Sequence, residues 1–560
     1  MSNNKSSRKR RNNFAMQATI LAAASIISKL IGMLYNIPFA NILETEGNGY
    51  YGKAQTVYYL ILLIATFSIP QAVSKIMAEK IEKGEYKNVK RIFDVSMIYV
   101  FVVGLIAAGI TFFGAPYFVS PSAVLSLRVL APTLFLSGFA SVYRGYYQAY
   151  GNMVPTSVSQ VVEQIFNAVF SIVMAILFMK LAVSAGLADS KQMYGAAGGT
   201  VGTGAGVLAG LIYMAIMFAR DKKELYGNIE DDKTETLMSY KEAFRLLLMI
   251  ATPIIFSSFI YNVNGTLDMR LHEAILKSQG YTEKYYSEQY GLYSRYYLVL
   301  ANIPIAMASA VASTVIPRVS ANHAVGDIKG CRNSISKALQ LTMVLTIPCA
   351  VGFMTLGKQI IRLLYPTLSS DSVNTAAALL LYGGVAIIFY GFSSVLNGVL
   401  QGVGKVNFPV LSASTALVFH IILLYVLLKY TSLGTLSFIG ATLLYVVIIV
   451  VMNYWEINRY LDYSVDWKNV VLMPAMSAVF MGVIAFVIYH LMVIICSKVV
   501  GGYASNALST IVSIIFAVFT YCVCLLKLGG YTEEMLMSFP KGATIAKIAK
   551  RFHLISDKSN

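Results

Sequence analysis

Long apolar stretches separated by short polar segments dominate the pattern of hydrophobic and polar positions along the chain. Two of them, residues 95–115 and 415–429, contain no acidic residue. A helix needs about 20 mostly apolar residues to cross the hydrocarbon core of a bilayer, so each stretch predicts a transmembrane helix. We therefore predict an all-α polytopic membrane protein. Its about 14 transmembrane helices lie near residues 14–40, 51–74, 93–114, 122–147, 156–180, 195–218, 244–268, 291–316, 335–356, 374–400, 408–429, 433–455, 470–495 and 506–528.

The composition excludes a soluble protein. Of the 560 residues, 57% are hydrophobic and only 13% are charged, whereas about a quarter of the residues in a soluble domain are charged. The five cysteines show no metal-ligand spacing, and no nucleotide-binding loop of the form GxxxxGKS/T occurs. We predict a protein that is not an enzyme, with no metal, no disulfide and no cofactor apart from an unidentified coupling ion.

The basic residues predict the orientation. With a cytoplasmic N-terminus, 31 of the 44 Lys and Arg, Arg144 included, fall on the cytoplasmic side and ten on the other side. The remaining three, Lys29, Lys53 and Arg128, lie within predicted helices. Cytoplasmic loops carry the excess of Lys and Arg in membrane proteins. We predict that both termini are cytoplasmic and that the net charge of +17 reflects topology and contact with membrane lipids, not nucleic acid.

One sequence motif occurs twice. "GFASVYRGYYQAYG" (138–151) returns 253 positions later as "GFSSVLNGVLQGVG" (391–404), with seven of 14 residues identical. "YYG" (50–52) before the second predicted helix likewise resembles "QYG" (289–291) before the eighth. The pattern predicts two parallel six-helix repeats, related by a pseudo-twofold axis along the membrane normal, plus a C-terminal helix pair. Two such lobes around a central site are typical of a transporter.

The repeat predicts the domain boundaries. We expect an N-terminal six-helix lobe (1–220), a cytoplasmic linker (221–243), a C-terminal six-helix lobe (244–460), an appended helix pair (461–530) and a cytoplasmic tail (531–560).

Polar residues at helical spacing form stripes on four of the predicted helices. Such residues are costly in hydrocarbon and usually face a protein interior or a wet cavity. The alternative for the Asn and Ser residues is that they join neighbouring helices by hydrogen bonds. Lys29 lies about 15 residues into its predicted helix, too deep to reach the surface easily. The candidate substrate-binding residues are Lys29, Asn36, Glu163, Asn167, Asn262, Asp268, Arg295 and Asn302.

The charges in these stripes favour an anionic ligand. Two cationic groups, Lys29 and Arg295, suit a phosphate-containing headgroup, because charge-assisted contacts to phosphate are strong. Arg295 lies near the outer end of its helix, where snorkelling to the surface is the alternative. We also expect helix breaks at the prolines inside three helices, which are Pro253, Pro304 and Pro348.

Three segments, 27–92, 127–164 and 302–330, resemble a known family. The first begins "ISKLIGMLYNIPFANILETEGNGYYGK", the second contains "LAPTLFLSGFASVYRGYYQAYG" and the third begins "NIPIAMASAVASTVIPRVS". They are similar to bacterial polysaccharide-export flippases of the stage V sporulation protein B and MurJ-type lipid II flippase group. That group belongs to the multidrug/oligosaccharidyl-lipid/polysaccharide exporter superfamily.

The resemblance implies an alternating-access flippase in the bacterial cell membrane. Its substrate would be an undecaprenyl-diphosphate-linked glycan, most simply the peptidoglycan precursor lipid II, moved from the inner to the outer leaflet. By the same resemblance, Lys29 and Arg295 occupy positions that hold the diphosphate, and cell-wall synthesis proteins are further partners. The sequence departs from the family where Tyr35 and Asn36 replace an Arg-Asp pair, and the second predicted helix lacks an intramembrane arginine.

Two other functions remain open at this point. A cation-coupled multidrug exporter of the same superfamily would use a cavity with one carboxylate, a role that Glu163 fits. A non-transporting scaffold for cell-wall synthesis would need no charge inside its helices.

Overall fold

The computed structural model describes residues 2–230, 232, 234, 236–529 and 547. Apart from residue 547, the predicted tail (531–560) lies outside the described residues. Within them the chain forms 15 α-helices and no strand. The helices are α1 (Ser2–Leu62), α2 (Ile69–Glu82), α3 (Tyr86–Phe118), α4 (Pro121–Ala149), α5 (Val154–Ser184), α6 (Lys191–Glu230), α7 (Tyr240–Ser278), α8 (Glu283–Gly291), α9 (Leu298–Ala324), α10 (Ile328–Leu364), α11 (Ser370–Gly402), α12 (Asn407–Tyr430), α13 (Ser437–Leu461), α14 (Met473–Cys496) and α15 (Gly502–Lys527).

The described helices confirm the all-α polytopic class. They contain 13 stretches long and apolar enough to cross a membrane. The first stretch, Ile27–Glu82, has 56 residues, which at 1.5 Å per residue is about 84 Å, far more than the ~30 Å of one bilayer core. Glu44 interrupts it with a φ of 54°, which divides α1 into α1a (residues 2–43) and α1b (residues 45–62). Counted as two crossings, this stretch brings the described total to the predicted 14.

The expected helix breaks at the three prolines are wrong. The α-helix continues through Pro253 in α7, Pro304 in α9 and Pro348 in α10. Transmembrane helices tolerate proline because local adjustments and neighbouring side chains satisfy the freed carbonyl groups. Other segments do depart from α-helical geometry. Among the described residues, π-helical segments next to crossing helices include Leu63–Phe67, Leu292–Tyr297 and Lys468–Leu472.

Glycines bring α5 and α6 into close contact. A Cβ atom on Gly202 would lie 2.1 Å from Ser171 Oγ, and one on Gly206 would lie 2.5 Å from the Glu163 carbonyl oxygen. Gly198, one turn before Gly202, is equally close to α5. Small residues spaced by four let two helix backbones approach closely in a membrane, where packing replaces the hydrophobic effect. This contact fixes the α5 residues that carry polar side chains.

Backbone contacts divide the chain into two compact units, Met1–Gly291 and Leu292–Asn560. The first unit contains α1 to α8 and the second contains α9 to α15. The predicted six-helix lobes and the linker between them stay a prediction. Within the second unit the appended helices pack on α10, where Tyr521 Oη donates to the Val344 carbonyl oxygen at 2.9 Å and Gly482 faces Val351.

A pair of glycine substitutions tests the α5–α6 contact. We expect Gly202→Ala to lower the thermal midpoint of the detergent-purified protein, because the new methyl group collides with Ser171. The matched control is Gly109→Ala in α3, where a Cβ meets nothing within 4 Å. Alanine favours a helix over glycine by about 0.5–1 kcal/mol, so the control should keep or raise the midpoint. Equal midpoints for both variants would contradict the close approach.

Candidate functional site

A cavity of about 510 Å³ lies inside the first unit, among both parts of α1 and the helices α2, α4, α5 and α6. Five carboxamide side chains line it, from three helices: Gln71, Gln148, Gln160, Gln164 and Asn167. Tyr58 and Tyr59 add aromatic surface. Each carboxamide offers both a donor and an acceptor, which is the chemistry that recognises hydroxyl and amide groups without a net charge.

An ion pair lies in the wall of this cavity. Arg144 Nη2 of α4 is 2.6 Å from Glu163 Oε2 of α5, and Arg144 Nε donates to Ser159 Oγ at 3.1 Å. The two charged side chains are 17% and 24% exposed, so water still reaches both. Gly206 holds α6 against the backbone of Glu163. The cavity therefore contains a fixed pair of opposite charges among neutral amides.

The predicted stripes of α1 and α5 face each other. Ser25 Oγ donates to Gln160 Oε1 at 3.3 Å, and Asn167 Nδ2 donates to Tyr35 Oη at 3.2 Å. For Asn167 the hydrogen-bonding alternative and the cavity are both realised, since it also lines the cavity. Lys29 lies one helical turn from Ser25 on α1 and is exposed. Its long side chain thus starts from the helix face that meets α5.

Two other predicted residues donate to the backbone of their own helix, and a third is buried. Asn36 Nδ2 donates to the Gly32 carbonyl oxygen at 2.7 Å, and Asn262 Nδ2 donates to the Ser258 carbonyl oxygen at 2.8 Å. Both bonds stay within one helix. Asp268 on α7 is 2% exposed, so it is enclosed by protein instead of facing a wet space. None of the three is among the residues that line the 510 Å³ cavity.

Arg295 and Asn302 belong to the second unit. Arg295 lies in the π-helical segment Leu292–Tyr297, and Asn302 is exposed on α9. Tyr365 follows the end of α10; burial raises its pKa to about 12, and the positive charge of Arg295 acts in the opposite direction. Arg295 is therefore close to Tyr365, just after the end of α10. π-helical segments are frequent at functional sites.

The orientation prediction treats Arg144 only as a cytoplasmic topology charge, whereas the structure pairs it with Glu163. The repeat could have indicated its importance. The position equivalent to Arg144 in the second copy of the motif is Asn397, which accepts a hydrogen bond from Asn453 Nδ2 at 2.7 Å. Ser412 in turn donates to Asn453. At this position the first unit therefore uses a charge where the second uses an amide.

Lys53 is a second residue to which the sequence assigns no role beyond its place in a predicted helix. It follows the repeated Tyr-Gly pair, and the second copy has Leu292 in its place. The structure buries Lys53 completely. A lysine where the second copy has a leucine is the sequence feature that distinguishes this position.

This helical architecture with an internal polar cavity is that of a multi-pass membrane transporter. A family model described as "Polysaccharide biosynthesis protein" matches residues 14–323, which is more than half of the chain. The chain belongs to this family. A second model, MatE, matches residues 296–426.

Two curated relatives are from Bacillus subtilis strain 168. The chain is 27% identical over 480 residues to "Lipid II flippase MurJ", covering 82% of this chain and 86% of the relative. It is 23% identical over 465 residues to "Stage V sporulation protein B", with the same coverage. Among solved structures, "Lipid II flippase MurJ, inward closed conformation" matches with a TM-score of 0.63 and 16% identity. That match covers 90% of this chain and 98% of the other, and shows a shared fold.

These comparisons confirm the predicted family. The protein is a membrane transporter of the multidrug/oligosaccharidyl-lipid/polysaccharide (MOP) exporter superfamily. Within it, the protein belongs to the lipid II and polysaccharide flippase group.

A double-mutant cycle tests the Arg144–Glu163 pair. We expect Arg144→Leu to lower the thermal midpoint more than Arg144→Leu/Glu163→Leu does, because the single change leaves a half-buried carboxylate without its partner. Breaking a buried pair costs about 3–5 kcal/mol, and the partial exposure here places the effect below that range. The same cycle on the exposed pair Lys83–Glu79 is the control, and should show little coupling. Coupling no larger than the control's would mean that water screens the cavity pair.

Proposed function

We propose that the protein is an alternating-access flippase that moves an undecaprenyl-diphosphate-linked saccharide, the peptidoglycan precursor lipid II, from the inner to the outer leaflet. It would act in a bacterial cell membrane with both termini cytoplasmic. The membership of the family and the similarity to two Bacillus subtilis proteins of the flippase group support the class of substrate. The observation that carries the proposal for this chain is the amide-lined cavity of the first unit.

The chemistry of the cavity fits the glycan part of such a substrate. Sugar hydroxyl and acetamido groups need donors and acceptors in equal measure, and the carboxamides supply both. Glu163 and Arg144 add one acceptor and one donor of opposite charge, so the cavity gains hydrogen-bonding strength without gaining net charge. Tyr58 and Tyr59 offer flat surfaces for a sugar ring. We assign this cavity to the saccharide.

The diphosphate requires cationic groups. Lys29 is exposed on the helix face that meets α5, so its ammonium is accessible to an anion. We keep Lys29 and Arg295 as the diphosphate-binding residues that the sequence predicts. Asn36, Asn262, Asp268 and Asn302 are secondary candidates, of which Asp268 is the weakest because it is buried.

The competing function is a cation-coupled multidrug exporter. The match to the MatE model over residues 296–426 favours it, as does a carboxylate beside two tyrosines in one cavity. However, the carboxylate of Glu163 is already neutralised by Arg144 at 2.6 Å. A cationic drug or a coupling cation would have to displace that guanidinium. The glycan therefore fits the cavity better than an organic cation does.

The test is growth rescue of a strain depleted of its own lipid II flippase, combined with an assay of lipid II accessible in the outer leaflet. We expect the wild-type protein to rescue growth and Lys29→Ala/Arg295→Ala to fail, with accessible lipid II falling by about tenfold for each lost charge contact. Gln164→Ala/Asn167→Ala should weaken rescue less, since each neutral hydrogen bond contributes about 1 kcal/mol.

The control is Lys180→Ala/Lys358→Ala, which removes two exposed lysines outside the cavity and should rescue normally. Expression and monodispersity in detergent show that each variant folds. Full rescue by Lys29→Ala/Arg295→Ala would remove the diphosphate assignment. Drug efflux by the wild-type protein without any change in accessible lipid II would favour the exporter. Rescue that survives filling the cavity with leucines would favour the scaffold.

A further inference from the structure

Lys53 of α1b is a fully buried lysine at the meeting point of three other parts of the first unit. Its Nζ donates to Ser120 Oγ, before α4, at 3.0 Å and to Ser287 Oγ of α8 at 2.9 Å. Glu273 Oε2 of α7 is 3.5 Å away, and the centroid of the Tyr286 ring is 4.4 Å away. The exposure of Lys53 is 0%. One ammonium group thus contacts four residues distributed over α7, α8 and the turn before α4.

The backbones of α8 and α1b are in close contact around this lysine. A Cβ on Gly49 would lie 2.0 Å from the Ser287 carbonyl oxygen, and one on Gly291 would lie 2.7 Å from the Thr45 carbonyl oxygen. Only residues without a side chain allow this approach. Tyr290 Oη is also 2.8 Å from Thr56 Oγ1, one turn further along.

Three further charged groups, of which only Lys284 is well exposed, flank the contact. Lys284 Nζ is 3.1 Å from Glu46 Oε2. Glu283 Oε1 accepts a hydrogen bond from the Ser122 backbone N–H at 2.9 Å. Water reaches one or both partners of each contact, so these contacts contribute less to the free energy of docking than the fully buried ammonium does.

Because the ammonium is buried, this contact is stable only when it is fully closed or fully open and hydrated. Removing an ammonium group from water costs several kcal/mol, which only a complete set of partners offsets. If α8 moves away from α1b, Lys53 loses Ser287 and water must enter to replace it. A partly opened contact is therefore less stable than either the closed contact or one that is open and hydrated. Two well-separated states are what a conformational switch requires.

We infer that Lys53 is a positioning residue that latches α8 to α1b, and that this latch opens and closes during transport. The latch consists of Lys53, Ser120, Glu273 and Ser287. The inference rests on the proposed alternating-access function. With both termini cytoplasmic, α1b and α8 both begin at the outer end of the membrane. The closed latch then seals the outer end of the first unit, and its opening admits water there.

Cross-linking tests whether the contact moves. In a variant with the five native cysteines replaced, Glu46→Cys and Lys284→Cys are joined by a short bis-methanethiosulfonate reagent that a thiol reductant removes. We expect cross-linking to abolish the appearance of lipid II in the outer leaflet and reductant to restore it. The control joins Tyr489→Cys to Asn506→Cys on α14 and α15, whose side chains hydrogen bond at 2.9 Å. That cross-link should leave transport intact.

If the protein transports normally with Glu46→Cys and Lys284→Cys joined, the contact is static and the latch is wrong. If the unlinked protein moves no lipid II at all, the proposed function fails instead. The labelling measurement below then still tests the latch, because it needs no substrate.

Labelling of a cysteine inside the contact tests the role of Lys53. Thr56→Cys is introduced into the cysteine-free protein, and its reaction with a water-soluble maleimide is measured in detergent. We expect Lys53→Met to raise the labelling rate at least about tenfold, the change that 1.4 kcal/mol produces, because Glu273 is left buried without its partner. Lys53→Met/Glu273→Gln should return most of the protection, since replacing both members of a buried pair is tolerated.

Lys284→Met is the matched control, because it removes an exposed lysine from the same contact. Its labelling rate should stay within about twofold of the parent, as expected for a surface pair. If Lys53 served only to stabilise the fold, Lys53→Met would lower the yield of folded protein, and adding Glu273→Gln would not restore that yield. Labelling unchanged by Lys53→Met, or equal in Lys53→Met and the double variant, would overturn the assignment.

Discussion

The cost of an unsatisfied polar group in hydrocarbon governs this structure. Every backbone N–H and C=O that crosses the bilayer must be bonded within its own helix, so the described crossings are helical. The same cost applies to side chains, which must find a partner or a wet cavity. Lys53 is buried against Glu273 and two serines, while Arg144 and Glu163 neutralise each other in a cavity. Each of these charged groups is therefore held by a partner of opposite charge or by hydroxyl groups.

Close helix packing determines where those groups lie. On α6, Gly202 and Gly206 bring the helix axis near α5 and thereby position Glu163 and its neighbours around the cavity. At the other contact, Gly49 and Gly291 bring α8 against α1b, beside Lys53. Glycine serves in both places because a methyl group would separate the backbones. The same kind of glycine contact therefore shapes the amide-lined cavity in one place and the proposed latch in the other.

The two sequence copies share helix ends but differ in chemistry. Arg144 in the first copy corresponds to Asn397 in the second, and Lys53 corresponds to Leu292. The amide network of Asn397 with Asn453 keeps the helix contact but carries no charge at that position. The second copy is therefore neutral at two positions where the first carries a charge, although Arg295 belongs to the second unit. A repeat alone thus indicates a transporter but says little about which half recognises the substrate.

The sequence by itself determined the helical class, the number of crossings and the family, because hydrophobicity over about 20 residues is a local property. It also placed Glu163 and Asn167 on one helix face, since that spacing is local too. Only the tertiary structure decided that Arg144 pairs with Glu163 and that Lys53 reaches Ser120 and Ser287, which are 67 and 234 positions away. The interruption at Glu44 falls between two helices that the sequence predicts, whereas the continuity of the helices through Pro253, Pro304 and Pro348 was not predictable from the sequence. Such outcomes depend on which neighbour satisfies a polar group, and no periodicity within one helix records that neighbour.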